Sequence, residues 1–169
     1  MTLHHIVMVA LLQSPAGPPQ DTIHSCLPQS ALVLAGIRLG NSQPEVNRVL
    51  GEPRAVERDS SADDGGRFQV VRLKYDSLQI ELGRGVVQRL ATTSTHYPTF
   101  YGIRVGMRLK EVAAALRMPD AADRLHWTTL SVDVCDNPGS IGADLKFARS
   151  IEPRTQWRLV SIELTEHGP

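Results

Sequence analysis

His126, Cys135 and Asp136 are the residues whose types come nearest to a catalytic set: a base, a nucleophile and an acid close together in one stretch of chain. Thiol chemistry needs the imidazole within hydrogen-bond reach of the sulfur. Along an extended strand the separation of His126 from Cys135 spans about 30 Å, so the two meet only if the chain turns between them. No catalytic residue is assigned on that basis. The six histidines, at positions 4, 5, 24, 96, 126 and 167, follow no metal-ligand spacing. No glycine-rich phosphate loop follows a strand. The expectation is a protein without enzymatic activity, cofactor or metal.

Other residues point to binding. Aromatic side chains make up only 5% of the chain, so their placement is informative. Tyr97, Phe100 and Tyr101 cluster with His96 in one joint, and Trp127 and Trp157 lie at or beside strands further on. Tyr and Trp are frequent anchors of protein interfaces; the alternative is that they fill a seam inside the molecule. Asp59, Asp63 and Asp64 precede Gly65 and Gly66 in a polar stretch, 57–66, read as a loop. Their spacing does not fit a calcium loop, which leaves a solvated turn or a contact with a basic partner. Cys26 and Cys135 are a candidate disulfide in an oxidising compartment. Closing so long a loop would contribute about 4 to 5 kcal/mol on the chain-entropy model.

The elements that must position these residues are organised around a repeat. Residues 36–53, GIRLGNSQPEVNRVLGEP, recur without a gap as 102–119, GIRVGMRLKEVAAALRMP, with eight of eighteen positions identical. Ordinary residue frequencies would give about one. In the first copy Ser42 and Glu45 have capping-box spacing, Pro44 suits a first turn, and Val46, Val49 and Leu50 form an apolar stripe that ends at Gly51 and Pro53. The second copy keeps a stripe at Leu109, Val112, Ala113 and Leu116 but has Arg108 in place of the capping serine.

Strands are read from alternation. Val71, Leu73 and Tyr75, then Leu78, Ile80 and Leu82, then 86–95 predict a meander joined by short hairpin loops. Leu130, Val132 and Val134, then Leu145 and Phe147, then Val160, Ile162 and Leu164 predict a second one. The expected fold class is therefore α+β, in two tandem repeats, each a short helix or helix pair followed by a three- to four-stranded antiparallel meander. The first repeat would occupy 21–95 and the second 96–169, after a signal peptide or flexible terminus at 1–20.

The 18 basic residues balance 18 acidic ones, which provides no global field for nucleic acid or an anionic membrane. The apolar run at 6–12, followed by Ser14 and Ala16, suits a secretory signal and is too short to span a bilayer. Periplasmic or secreted localisation is expected.

The helix motif, with Gly40, Ser42, Val46, Leu50, Gly51 and Pro53 in the first copy and Gly106, Val112, Leu116 and Pro119 in the second, resembles that of the SmpA/OmlA-type lipoproteins of outer-membrane barrel assembly. In tandem, the unit is similar to secreted β-lactamase inhibitor proteins. The resemblance spans 36–95 and 102–165. It implies an exported module that binds another protein, as an inhibitor or immunity protein against a periplasmic or secreted enzyme or toxin. An envelope-assembly adaptor is the alternative, although no lipidation site precedes Cys26; a third is a ligand carrier or enzyme using a cleft between the repeats. The residues expected to touch the partner are Tyr97, Phe100, Tyr101, Trp127, Trp157, Asp63 and Asp64.

Overall fold

The computed structural model describes residues 26–63, 65–125, 128–135, 141–149 and 157–166. After a 3-10 turn at Gln29–Ala31 come strands β1 (Val33–Leu34) and β2 (Ile37–Arg38), then helix α1 (Gln43–Leu50). Four strands follow: β3 (Ala55–Asp63), β4 (Gly66–Tyr75), β5 (Leu78–Gly83) and β6 (Val86–Thr92). A second 3-10 turn, Phe100–Gly102, leads to α2 (Leu109–Ala115) and α3 (Ala121–Arg124). Strands β7 (Thr129–Asp133), β8 (Ile141–Arg149) and β9 (Trp157–Glu166) complete the described chain.

This architecture corrects the expected fold class. Among the described residues the molecule is mostly sheet, with three helices of eight, seven and four residues. Its strands do not form two separate meanders. They form one seven-stranded antiparallel sheet in the order β3-β4-β5-β6-β9-β8-β7, beside the small β1-β2 hairpin. The fusion is made by β6 and β9, where Leu90 pairs with Leu164 and Thr92 with Ile162. A further strand appears where a loop was expected: Glu57 to Asp63 pair with β4 from Arg72 down to Gly66. Every residue of β3 from position 55 to 62 is exposed, so both of its faces are wet. An edge strand of that kind carries no apolar alternation and reads as a polar loop.

The helix entries are held mainly by carboxylates. Glu45 accepts the Ser42 N–H at 2.7 Å and the Ser42 hydroxyl at 2.8 Å. These bonds hold the Glu45 carboxyl below its usual range, the Ser42 N–H being the largest cause. At α2, Glu111 accepts the Arg108 N–H at 2.7 Å, so the reach-back half of the cap survives without a serine. The expected α1 stripe holds in part: Val46 is buried and Leu50 half-buried, but Val49 is exposed.

One core lies between the helices and one face of the sheet. It joins Val46 and Val112 to Leu73, Ile80 and Leu90 from one half, and to Leu130, Leu145 and Ile162 from the other. The alternate residues of the same strands therefore point to the opposite face.

Candidate interaction face

On that opposite face no described element lies over the sheet, and its side chains form a ladder of charge. Register places Arg72 opposite Glu81 and Glu81 opposite Arg89, and puts Glu163 beside Ala91 and Asp144. On β3, Glu57 pairs with Lys74, and Asp59 lies 3.7 Å from Arg72. Arg72 Nε donates to Glu81 at 2.8 Å, and Arg89 Nε donates to Glu163 at 2.6 Å. Glu163 also receives Lys146 Nζ at 3.4 Å. Ser131 extends the row by donating to Asp144 at 2.7 Å.

The sign alternates from β3 to β9, acidic on β3, basic on β4, acidic on β5, basic on β6 and acidic on β9; β8 is mixed, with Lys146 reaching Glu163 while Asp144 stands opposite it. The centre of this row differs from its ends. The Glu163 side chain is 15% exposed, whereas Lys146 is 48% and Asp59 64% exposed. The Arg89 hydrogen bond is the largest cause holding Glu163 below the usual carboxylate range, against burial, with the Arg89 and Lys146 charges adding to it. Arg72 is pushed above its ordinary value, chiefly by the Glu81 hydrogen bond, and Arg89 likewise by Glu163. Within the row, Arg72, Lys74, Gln79, Glu81, Arg89 and Ala91 line a shallow hollow of about 70 Å³.

The residues expected to touch a partner are not brought together here. Phe100 is buried at 4% exposure and meets the Tyr101 ring edge-on at 6.2 Å. Tyr101 is 55% exposed, with a left-handed backbone at φ 53°. Tyr97 and Trp157 are half-buried and pack against the core, and the Arg149 guanidinium lies 5.1 Å from the centre of the Trp157 ring. Asp63 ends β3 at the tip of the β3-β4 hairpin. Trp127 and Asp64 lie outside the described residues, as do His126 and Asp136.

Cys135 is bridged to Cys26, with 4.9 Å between their Cα atoms, so its sulfur is not a thiolate. Next to the bridge, the Leu27 N–H donates to the Asp133 carbonyl at 2.8 Å and the Cys135 N–H to the Leu27 carbonyl at 2.9 Å. On the helix side, a hollow of about 370 Å³ is lined by Leu27, Tyr101, Ala115, Leu116 and Arg117. Another, of about 250 Å³, is lined by Gln29, Ser30, Leu32, Arg38, Leu39 and Ile141. Neither lining gathers a set of acid and base side chains. Among the described residues no cluster of three potential metal ligands occurs. No described helix is long and apolar enough to cross a membrane.

The charge ladder escaped the sequence reading because it depends on register between strands, which no single strand encodes. Its one local signal is in β4, where Arg72 and Lys74 alternate with half-buried Val71, buried Leu73 and half-buried Tyr75.

No protein-family model matches the chain, and no curated protein matches it. Among solved structures it is similar to the uncharacterized protein YfeY from Escherichia coli, at 8% identity and a TM-score of 0.42 over 73% of this chain and 88% of that one. It is also similar to an extracellular protein containing a SCP domain from Bacillus anthracis str. Ames, at 11% identity and a TM-score of 0.46 over 92% of this chain and 50% of that one.

Proposed function

We propose that this chain is an exported, non-catalytic module that binds another protein through the open face of its sheet, and that it acts as an inhibitor or immunity protein toward a periplasmic or secreted enzyme or toxin. The observation that carries the reading is the ladder itself. Five strands, β3 to β6 and β9, present opposite charges in alternation across one open face, and β8 adds Lys146 beside Asp144. Complementary charge of this kind selects a partner and speeds encounter more than it stabilises a fold. The disulfide between Cys26 and Cys135 supports an oxidising compartment. The inhibitor role draws on the resemblance of the tandem repeat at 36–95 and 102–165 to β-lactamase inhibitor proteins.

The test is affinity capture from envelope and secreted extracts of the source organism at moderate salt. The wild-type chain should retain one stoichiometric protein. A Gln79→Arg, Lys146→Glu variant should lose it, and Arg48→Ala, on the exposed side of α1, should keep it. Equal retention by all three chains would defeat the reading, as would no retention by the wild type.

A further inference from the structure

The sheet has two edges, and they are finished differently. At the β7 end, Leu27 bridges Val134 in parallel and the Cys26–Cys135 disulfide fastens it there. At the β3 end, a strand of nine residues is hydrogen-bonded on one side to β4, and the described residues put nothing on the other. An open edge strand is a row of backbone donors and acceptors available to another strand.

We propose that β3 pairs edge to edge with an extended segment of a partner protein that carries Lys or Arg at alternate positions, adding an eighth strand to the sheet. This rests on the reading that the chain binds protein. The chemistry of the added strand follows from the ladder. Moving inward from β3 to β9, the open-face charges run acidic, basic, acidic, basic, acidic, in Glu57 and Asp59, Arg72 and Lys74, Glu81, Arg89 and Glu163. The strand that continues this order outside β3 is basic. Its side chains would stand directly opposite Glu57 and Asp59, at the spacing where unlike charges stabilise and like charges destabilise a cross-strand pair.

A second copy of this chain does not fit. Two identical antiparallel edges are related by a two-fold axis normal to the sheet, which sets residues of the same face against each other. Glu57 and Asp59 occupy alternate positions on one face of β3, so an edge self-paired about either of them or about Arg58 would bring carboxylate to carboxylate. The acidic side chains thus disfavour self-assembly in those registers and admit a strand of opposite sign.

The probes are two nine-residue peptides, one alternating lysine with threonine and one alternating glutamate with threonine. Each is added at millimolar concentration and low salt while amide hydrogen exchange is followed residue by residue. The lysine peptide should slow exchange within positions 55–62 by about tenfold, and the glutamate peptide should leave it unchanged. The Ser60 N–H bonds to the Asp59 carboxylate at 2.8 Å, and an edge strand accepts proline where its N–H is not needed for the ladder. Ser60→Pro should therefore abolish the protection while the melting temperature is kept. Equal protection by both peptides, no protection by either, or protection confined to other strands would overturn the pairing. If those results came while Gln79→Arg, Lys146→Glu still abolished capture, edge pairing would fall and binding by the open face would stand; loss of both would remove both.

Discussion

Ile162 and Glu163 are neighbours on β9, yet they belong to different parts of the molecule's physics. Ile162 points into the core and is fully buried; Glu163 points the other way and holds two cations. The same alternation runs through β4, β5, β6 and β8, so one set of strands supplies an apolar face that supports the fold and a charged face with another role. The inner face gains from every apolar atom it removes from water. The open face gains little, because exposed ion pairs contribute small and salt-sensitive terms. The proposed partner recognition would account for a row of charges that adds little to stability.

Substitutions that separate the two faces test this contrast. The largest effect should come from the inner face: Ile162→Ala should cost about 2 to 5 kcal/mol in denaturant unfolding, through lost burial and the cavity left behind. A cost near zero would mean the core does not close over β9. Next is the centre of the ladder, where Glu163→Gln removes the charge between Arg89 and Lys146. It should cost about 1 to 2 kcal/mol at neutral pH, since a mostly buried charged acceptor is lost.

The pH dependence of that effect has a definite sign. The Glu163 pKa is lowered in the folded state. Its contribution is complete above the unfolded-state value and is lost as pH falls through the folded-state value. Unfolding curves across the acid range should show the wild type losing its advantage over Glu163→Gln there; a difference that does not change with pH would contradict the pairing.

The smallest stability effect should be at the rim. Arg72→Ala should leave the melting temperature unchanged while weakening capture of the partner. A large fall in melting temperature would move the rim into the structural class and dissolve the contrast.

How much of this was legible in the sequence depends on where each residue's neighbours come from. Leu78, Ile80 and Leu82 announce β5, and Leu145 with Phe147 announces part of β8, because burial on one face writes itself into every second residue. Ser42 and Glu45 mark the start of α1 through bonds three residues long, whereas the bond from the Arg108 N–H to Glu111 goes unannounced where no capping serine stands. The β3 strand was hidden because neither face of it is buried. The single sheet was hidden because the pairing of Leu90 with Leu164 joins residues far apart in the chain. The aromatics were informative by scarcity, yet Phe100 and Trp157 went to the core side. The charges that mark the open face are ordinary surface residues until register aligns them.

The central claim, that partner recognition resides on the open face, is tested most directly by site-specific photo-crosslinking in extracts of the source organism. The crosslinker is placed in turn at Gln79, exposed on the ladder side, and at Arg48, exposed on α1 across the sheet. The account expects one discrete protein adduct from position 79 and none from position 48. An adduct from position 48 alone, or none from either, would contradict it.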